Sequence, residues 1–219
     1  MRGTMRWMAA GLALAAVTGC VSGSVQQKDA PTGYRQRPPK PEDQRKKIAV
    51  AEFADKSGYG REQVGAPAAD VLSTMLVDCE QFAVYERQKL SAALDELKLG
   101  QSGVIDPTTA ATAGKMIGVD YVMIGVVSKA AFRVERTNVV LYQNKKQVAE
   151  VAVDCRMVHV QSGRVVFAKE GHGLADRAAT GALGMGGGMS YDSGLFADAL
   201  RAAIYKMMDD MIDKAEIAR

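Results

Sequence analysis

Cys20 is the residue of this 219-residue chain whose type and setting most directly specify a chemistry. It closes the stretch "AVTGC", an aliphatic residue, two small residues and then a cysteine, where a plain secretory cleavage site would carry an A-x-A arrangement. Upstream, Arg2 and Arg6 precede an uncharged run from Trp7 to Gly19, a positive n-region and an h-region too short to span about 30 Å of hydrocarbon. The pattern resembles a bacterial lipobox. It predicts cleavage between Gly19 and Cys20, a diacylglycerol on the Cys20 thiol and acylation of the freed amine. Several acyl chains on one residue anchor stably where a single chain is marginal. Val21 and Ser22 follow, with no Asp beside the lipid site, as in lipoproteins sent on to the outer membrane.

Other reactive side chains form no comparable pattern. His159 and His172 are the two histidines, and neither has cysteine or carboxylate neighbours at metal-ligand spacing. "GMGGG" at 184–188 has the glycines of a phosphate cradle but no following Lys-Ser/Thr, and it is not a strand-to-helix turn. Cys79 and Cys155 are open to pairing in an oxidising compartment, yet each falls on an apolar face, which favours two buried thiols. The acid pairs Asp95-Glu96 and Asp209-Asp210 lie on polar helix sides. The chain is therefore read as no enzyme, with no catalytic residues, no metal site and no cofactor.

The elements that carry these residues begin after a tether. Residues 20–46 are read as the lipid anchor and a flexible linker: four of the six prolines (Pro31, Pro38, Pro39 and Pro41) fall there, with almost no aliphatic side chains. Positions 21–47 carry seven Lys and Arg against three Asp and Glu, and the remainder from Ile48 is near −3. A short cationic stretch beside an acyl anchor favours anionic head groups, or is simply a solvated linker. Basic residues of the domain are not interleaved with aromatics, so nothing points to nucleic acid.

Residues 47–219 have the length of one sizeable core. "KIAVAEFAD" reads as a strand; "APAADVLSTMLVDC" as a helix turning Val71, Leu72, Met75, Leu76 and Cys79 inward; "FAVY" as a short strand. Leu90, Leu94 and Leu97 recur at i, i+4 and i+7 in the helix that follows, and Asp106-Pro107 open a third helix. "GVDYVMIGVVSKAAFRV" is β-rich. From about Gln147 to Val160, Val151, Val153, Cys155 and Met157 share one face and Glu150, Asp154 and Arg156 the other, and "QSG" turns that strand into "RVVFAKEG". A closing amphipathic helix from about Gly194 presents Leu195, Ala199, Ala202 or Ala203, Met207 and Met211. The fold class is α/β (α+β): a mixed, partly antiparallel sheet packed by helices.

In this order, "IAVAEFAD", "FAVYERQKLSAALDELKL", "GVDYVMIG", "VDCRMVHVQSGRVVFAKEG" and a closing helix, behind a lipobox, resemble the CsgG/HfaB family, the curli production assembly/transport component family. The resemblance covers Lys47 to about Lys214. It implies a periplasmic α/β domain held at the outer membrane by acyl chains on Cys20, with envelope or fibre-assembly proteins as partners. Some members form a homo-oligomeric ring, each protomer giving two β-hairpins to a barrel that exports fibre subunits; others are lipoproteins without a pore. The first hairpin candidate alternates Val126, Ser128, Ala130, Phe132 and Val134 with Val127, Lys129, Ala131, Arg133 and Glu135, but returns through the basic "LYQNKKQ". The second, "GHGLADRAATGALGMGGGMSYDSG", is rich in glycine and is read as a flexible loop. Two functions stay open: an export or assembly component for surface fibres, and a monomeric accessory lipoprotein that binds and regulates an envelope partner.

Overall fold

The computed structural model describes residues 34–59, 64–97, 105–139, 142–182 and 193–217. Strand β1 (Lys46–Val50) lies between β3 (Phe82–Tyr85) and β4 (Tyr121–Val139), parallel to both, and the two-residue β2 (Ala54–Asp55) continues its line along β4. Then β4, β5 (Tyr142–His159) and β6 (Val165–Ala182) run antiparallel, so the sheet of six strands is mixed, as the sequence predicts.

Helices cover both faces where the sheet is parallel. Helices α1 (Gly65–Asp78) and α4 (Ser193–Ile217) close a core around Ile48, Val50, Phe53, Tyr121 and Met123. On the other face α2 (Arg87–Glu96) and α3 (Pro107–Ile117) bury Ala49, Ala51, Val122, Ile124 and Val158 with Leu90 and Leu94. The period-two alternation of β1 thus supplies both layers. The predicted helix faces hold: Leu72, Met75, Leu76 and Cys79 are buried in the first core, while Val71 and Leu97 pack at the edges. Asp106 caps α3, accepting from the Thr108 and Thr109 amides at 2.9 and 3.1 Å, and the bond from the Thr109 hydroxyl above all, with these amide bonds, holds its carboxyl below the ordinary range. The helix stops at Gly118, whose φ of 71° is a left-handed conformation natural to glycine.

Three details depart from the sequence reading. A bulge between Val127 and Lys129 shifts the register of β4 against β5, so the face toward α4 runs Gly125 and Val127, then Ala130 and Phe132. The single alternation from Val126 to Glu135 is therefore two alternations of opposite phase.

The second departure is at "GHGLADRAATGA", which is strand and not loop: β6 extends to Ala182, paired with β5 throughout. Gly171 and Gly173 fit there because α4 is close. A Cβ on Gly173 would lie 1.8 Å from the Ala199 carbonyl oxygen, and one on Gly171 would lie 2.3 Å from that of Ala203. Four residues of helix rise about as far as two residues of strand, so the Ala199/Ala203 pair matches the Gly173/Gly171 pair along the seam. The rest of the glycine-rich stretch, 183–192, lies outside the described residues.

The third departure is in the linker. Residues 34–45 lie along α4 and the start of β3, held by Arg35, Arg37, Lys40 and Gln81. Composition does not reveal this docking, because no residue from 34 to 45 is fully buried and the contact needs almost no apolar side chains.

Candidate functional site

The predicted lipid-attachment residue Cys20, and Gly19 before the cleavage point, lie outside the described residues, as does "GMGGG". The described chain starts at Tyr34, so the site that the structure displays is the one where the tether joins the domain.

Helix α4 presents there the row Tyr205, Asp209, Asp213 and Glu216, spaced so that all four share one side. Tyr34 stacks on Tyr205 with centroids 6.0 Å apart. The Arg35 amide donates to both carboxylate oxygens of Asp209 at 3.1 Å. Arg37 Nη2 donates to Asp213 Oδ1 at 2.7 Å and lies 3.5 Å from Asp209 Oδ1. Its guanidinium is mostly covered, and Nη1 is buried with no hydrogen-bond partner among the described residues. Lys40 Nζ donates to Glu216 Oε1 at 2.8 Å, and this bond is the main cause that holds the Glu216 carboxyl below its ordinary range. On the β3 side the Lys40 amide donates to the Glu80 carbonyl at 3.1 Å and Gln81 Nε2 to the Pro38 carbonyl at 2.9 Å. A half-open cavity of about 400 Å³ lies beneath, lined by Lys40, Gln44, Lys46, Gln81, Phe82 and Glu216 among others.

Asp209 and Asp210, read in the sequence as solvated acids, are both engaged: Asp209 with the strap, Asp210 with Lys169 of β6. Nothing in the spacing of Arg35, Arg37 and Lys40 identifies a docked segment, since their partners lie more than 170 residues away. The complementary signal was the excess of base in the tether against the excess of acid in the domain.

The remaining candidates stand apart. His159 Nδ1 is 2.8 Å from Ser162 Oγ in the β5–β6 turn, with its ring against Tyr121; His172 Nε2 is 3.2 Å from Glu170 Oε1 on the exposed side of β6. Cys79 and Cys155 are free and buried, and burial raises both thiol pKa values, that of Cys155 furthest. Asp95 and Glu96 are exposed at the end of α2. Among the described residues no group of three or more His, Cys, Asp or Glu side chains is placed to hold a metal ion, and no helix is long and apolar enough to cross a membrane.

The model of the family "Curli production assembly/transport component CsgG" matches residues 29–218. The chain belongs to the CsgG family. It is 26% identical over 179 residues to the candidate lipoprotein NMB1126/NMB1164 of Neisseria meningitidis serogroup B, covering 77% of this chain and 76% of that one. Among solved structures it is similar to lipoprotein GNA1162 of Neisseria meningitidis, with 11% identity, a TM-score of 0.46 and coverage of 75% of this chain and 99% of that one. It is also similar to the C-terminal domain of LpoB from Escherichia coli, with 19% identity, a TM-score of 0.42 and coverage of 58% and 81%. The CsgG family match begins at residue 29, so it takes in the strap as well as the domain.

Proposed function

We propose that this CsgG-family chain is a lipoprotein acylated at Cys20 and held at the periplasmic face of the outer membrane. Residues 1–19 are its signal peptide, 20–46 its anchor and tether, and 47–219 its working domain. The domain serves, without catalysis, the export or assembly of surface fibres or adhesins, through contacts with envelope or fibre-assembly proteins. The observation that carries this reading is the family match over 29–218, which begins a few residues after "VTGC". Cys20→Ala tests the anchor: the variant should incorporate no labelled palmitate and leave the outer-membrane fraction. Retention in that fraction at the mobility of the parent would sink it.

The β4–β5 hairpin favours a second reading, an accessory lipoprotein with no pore of its own. A lipid-facing strand needs one apolar side. One side of the arm faces α4, where Ala130, Ala149 and Phe132 pack. Its other side carries Lys129, Arg133 and Glu150, with Lys129 Nζ 2.6 Å and Arg133 Nη1 3.5 Å from the two Glu150 oxygens. As far as Glu135 neither side suits hydrocarbon. Light scattering on the lipidated protein in detergent separates the two: a protein mass of one protomer supports the accessory role, and a mass of many protomers supports the ring.

A further inference from the structure

We infer that residues 34–45 are a releasable latch that sets the working length of the membrane tether. The latch is well specified. Arg35, Arg37 and Lys40 meet Asp209, Asp213 and Glu216 in the same order along both segments, and the Glu80 and Pro38 carbonyls are bonded as well. Pro38, Pro39 and Pro41 restrict the free backbone, so fixing it costs less entropy than for an ordinary segment. It is also weakly held. None of its residues is fully buried, its aromatic contact among the described residues is Tyr34 on the half-buried Tyr205 at the edge of the core, and Asp213 and Glu216 remain about half exposed. Contacts of this kind open locally without the core, because water and salt replace them at little loss.

Opening changes the reach. Residues 21–33 separate Cys20 from the docked strap, and at full extension those thirteen residues span about 45 Å. With the strap free, the tether runs from 21 to 45, and the limit rises to about 85 Å. The domain is thereby held near the membrane or allowed outward, according to whether the acidic row of α4 is occupied by its own strap. A cationic segment of a partner that takes this row releases the tether in the same act. The change of reach rests on the acylation of Cys20 proposed above; the docking does not.

The test uses the full-length lipidated protein in phosphatidylcholine vesicles carrying an acceptor dye in the head-group plane, with a donor on Met116→Cys, an exposed position of α3. Hydrogen exchange of residues 35–45 is followed in parallel. The triple variant Asp209→Asn, Asp213→Asn, Glu216→Gln should exchange these amides about tenfold faster. It should lower energy transfer while the amides around the buried Met207 and Met208 stay protected. Raising the salt to 1 M on the unaltered chain, where the Debye length is about 3 Å, should act in the same direction without any substitution. Unchanged exchange and transfer in the triple variant and in high salt overturn the latch. So does a parent whose residues 35–45 exchange as fast as an unstructured peptide. A parent that takes no lipid overturns the change of reach together with the anchor, and the exchange arm, read on the soluble form, still decides the docking.

Discussion

Helix α4 is flanked on one side by β6 and on another by the strap, and it holds the two by opposite means. Against β6 the contact is dry and close: the Ala199 and Ala203 carbonyls lie over Gly173 and Gly171, with Met207 beside them, and the Lys206 ammonium donates to the His172 carbonyl at the rim. Against the strap it is mostly wet and polar: the Arg35 amide, the Arg37 guanidinium and the Lys40 ammonium meet three carboxylates, and Tyr34 stacks on Tyr205 at the edge of the core. Shape complementarity fixes β6, because a packed interior has no alternative arrangement of similar energy. Charge pairs, a few rim hydrogen bonds and one ring stack among the described residues leave the strap free to exchange partners. One helix thus joins a permanent neighbour to a conditional one.

The seam is where the comparison breaks most sharply. Gly173→Ala should cost about 3 kcal/mol, the upper end for an overpacked site, because the added Cβ meets backbone, the Ala199 oxygen at 1.8 Å and the Ala203 nitrogen at 2.7 Å, with no flexible side chain to give way. The neighbouring His172→Ala, on the exposed side of the same strand, should change stability by under about 0.5 kcal/mol. Denaturant melts of the two variants read the difference directly. Similar midpoints would mean that α4 does not press on β6 as described.

These two contacts were also unequally legible in the sequence. What local rules govern could be read: Asp106-Pro107 as a helix start, the Leu90/Leu94/Leu97 stripe, and "QSG" as the turn joining two alternating strands. Glycine at 171 and 173 could not, because its local meaning is a weak strand, and the reason for it is a helix some 26 to 32 residues further on. The Ser128 bulge was likewise hidden: a phase change leaves apolar and polar residues alternating on both sides of it, so no residue type marks the slip. The strap failed for a third reason. A segment with no fully buried residue and almost no aliphatic side chains reads as solvent-exposed linker, whether or not its charges have partners in the fold.

On the strap side the expected effects are smaller. Arg37→Ala removes the bonds to Asp213 and Asp209, yet it also removes the buried Nη1 that has no partner among the described residues, so the two changes oppose each other. The net loss of stability should stay under about 1 kcal/mol. Its clearer sign is faster exchange of residues 35–45 with the melting temperature lowered by no more than about 4 °C. A loss as large as that of Gly173→Ala would mean that the strap belongs to the core and would remove the distinction.

The smallest effect lies at the end of the strap and sharpens the comparison by its sign. Lys40 holds the Glu216 carboxyl below its ordinary range, so folding favours the ionised form there. A carboxyl whose folded pKa is depressed contributes stability above its unfolded pKa, and that contribution fades as pH falls toward and through the folded value. Because the Glu216 side chain is 46% exposed, solvent screens the pair, and Glu216→Gln should lower stability at pH 7 by no more than about 0.5 kcal/mol. Melts of parent and variant should differ by that amount at neutral pH, converge as the carboxyl protonates in the acid range, and converge as well in 1 M salt. Gly173→Ala carries no titrating group and no ion pair, so its deficit should persist where the Glu216 difference has closed. A Glu216→Gln deficit that survives both acid and salt would show a contact made by packing, and the strap would then be as permanent a neighbour of α4 as β6 is.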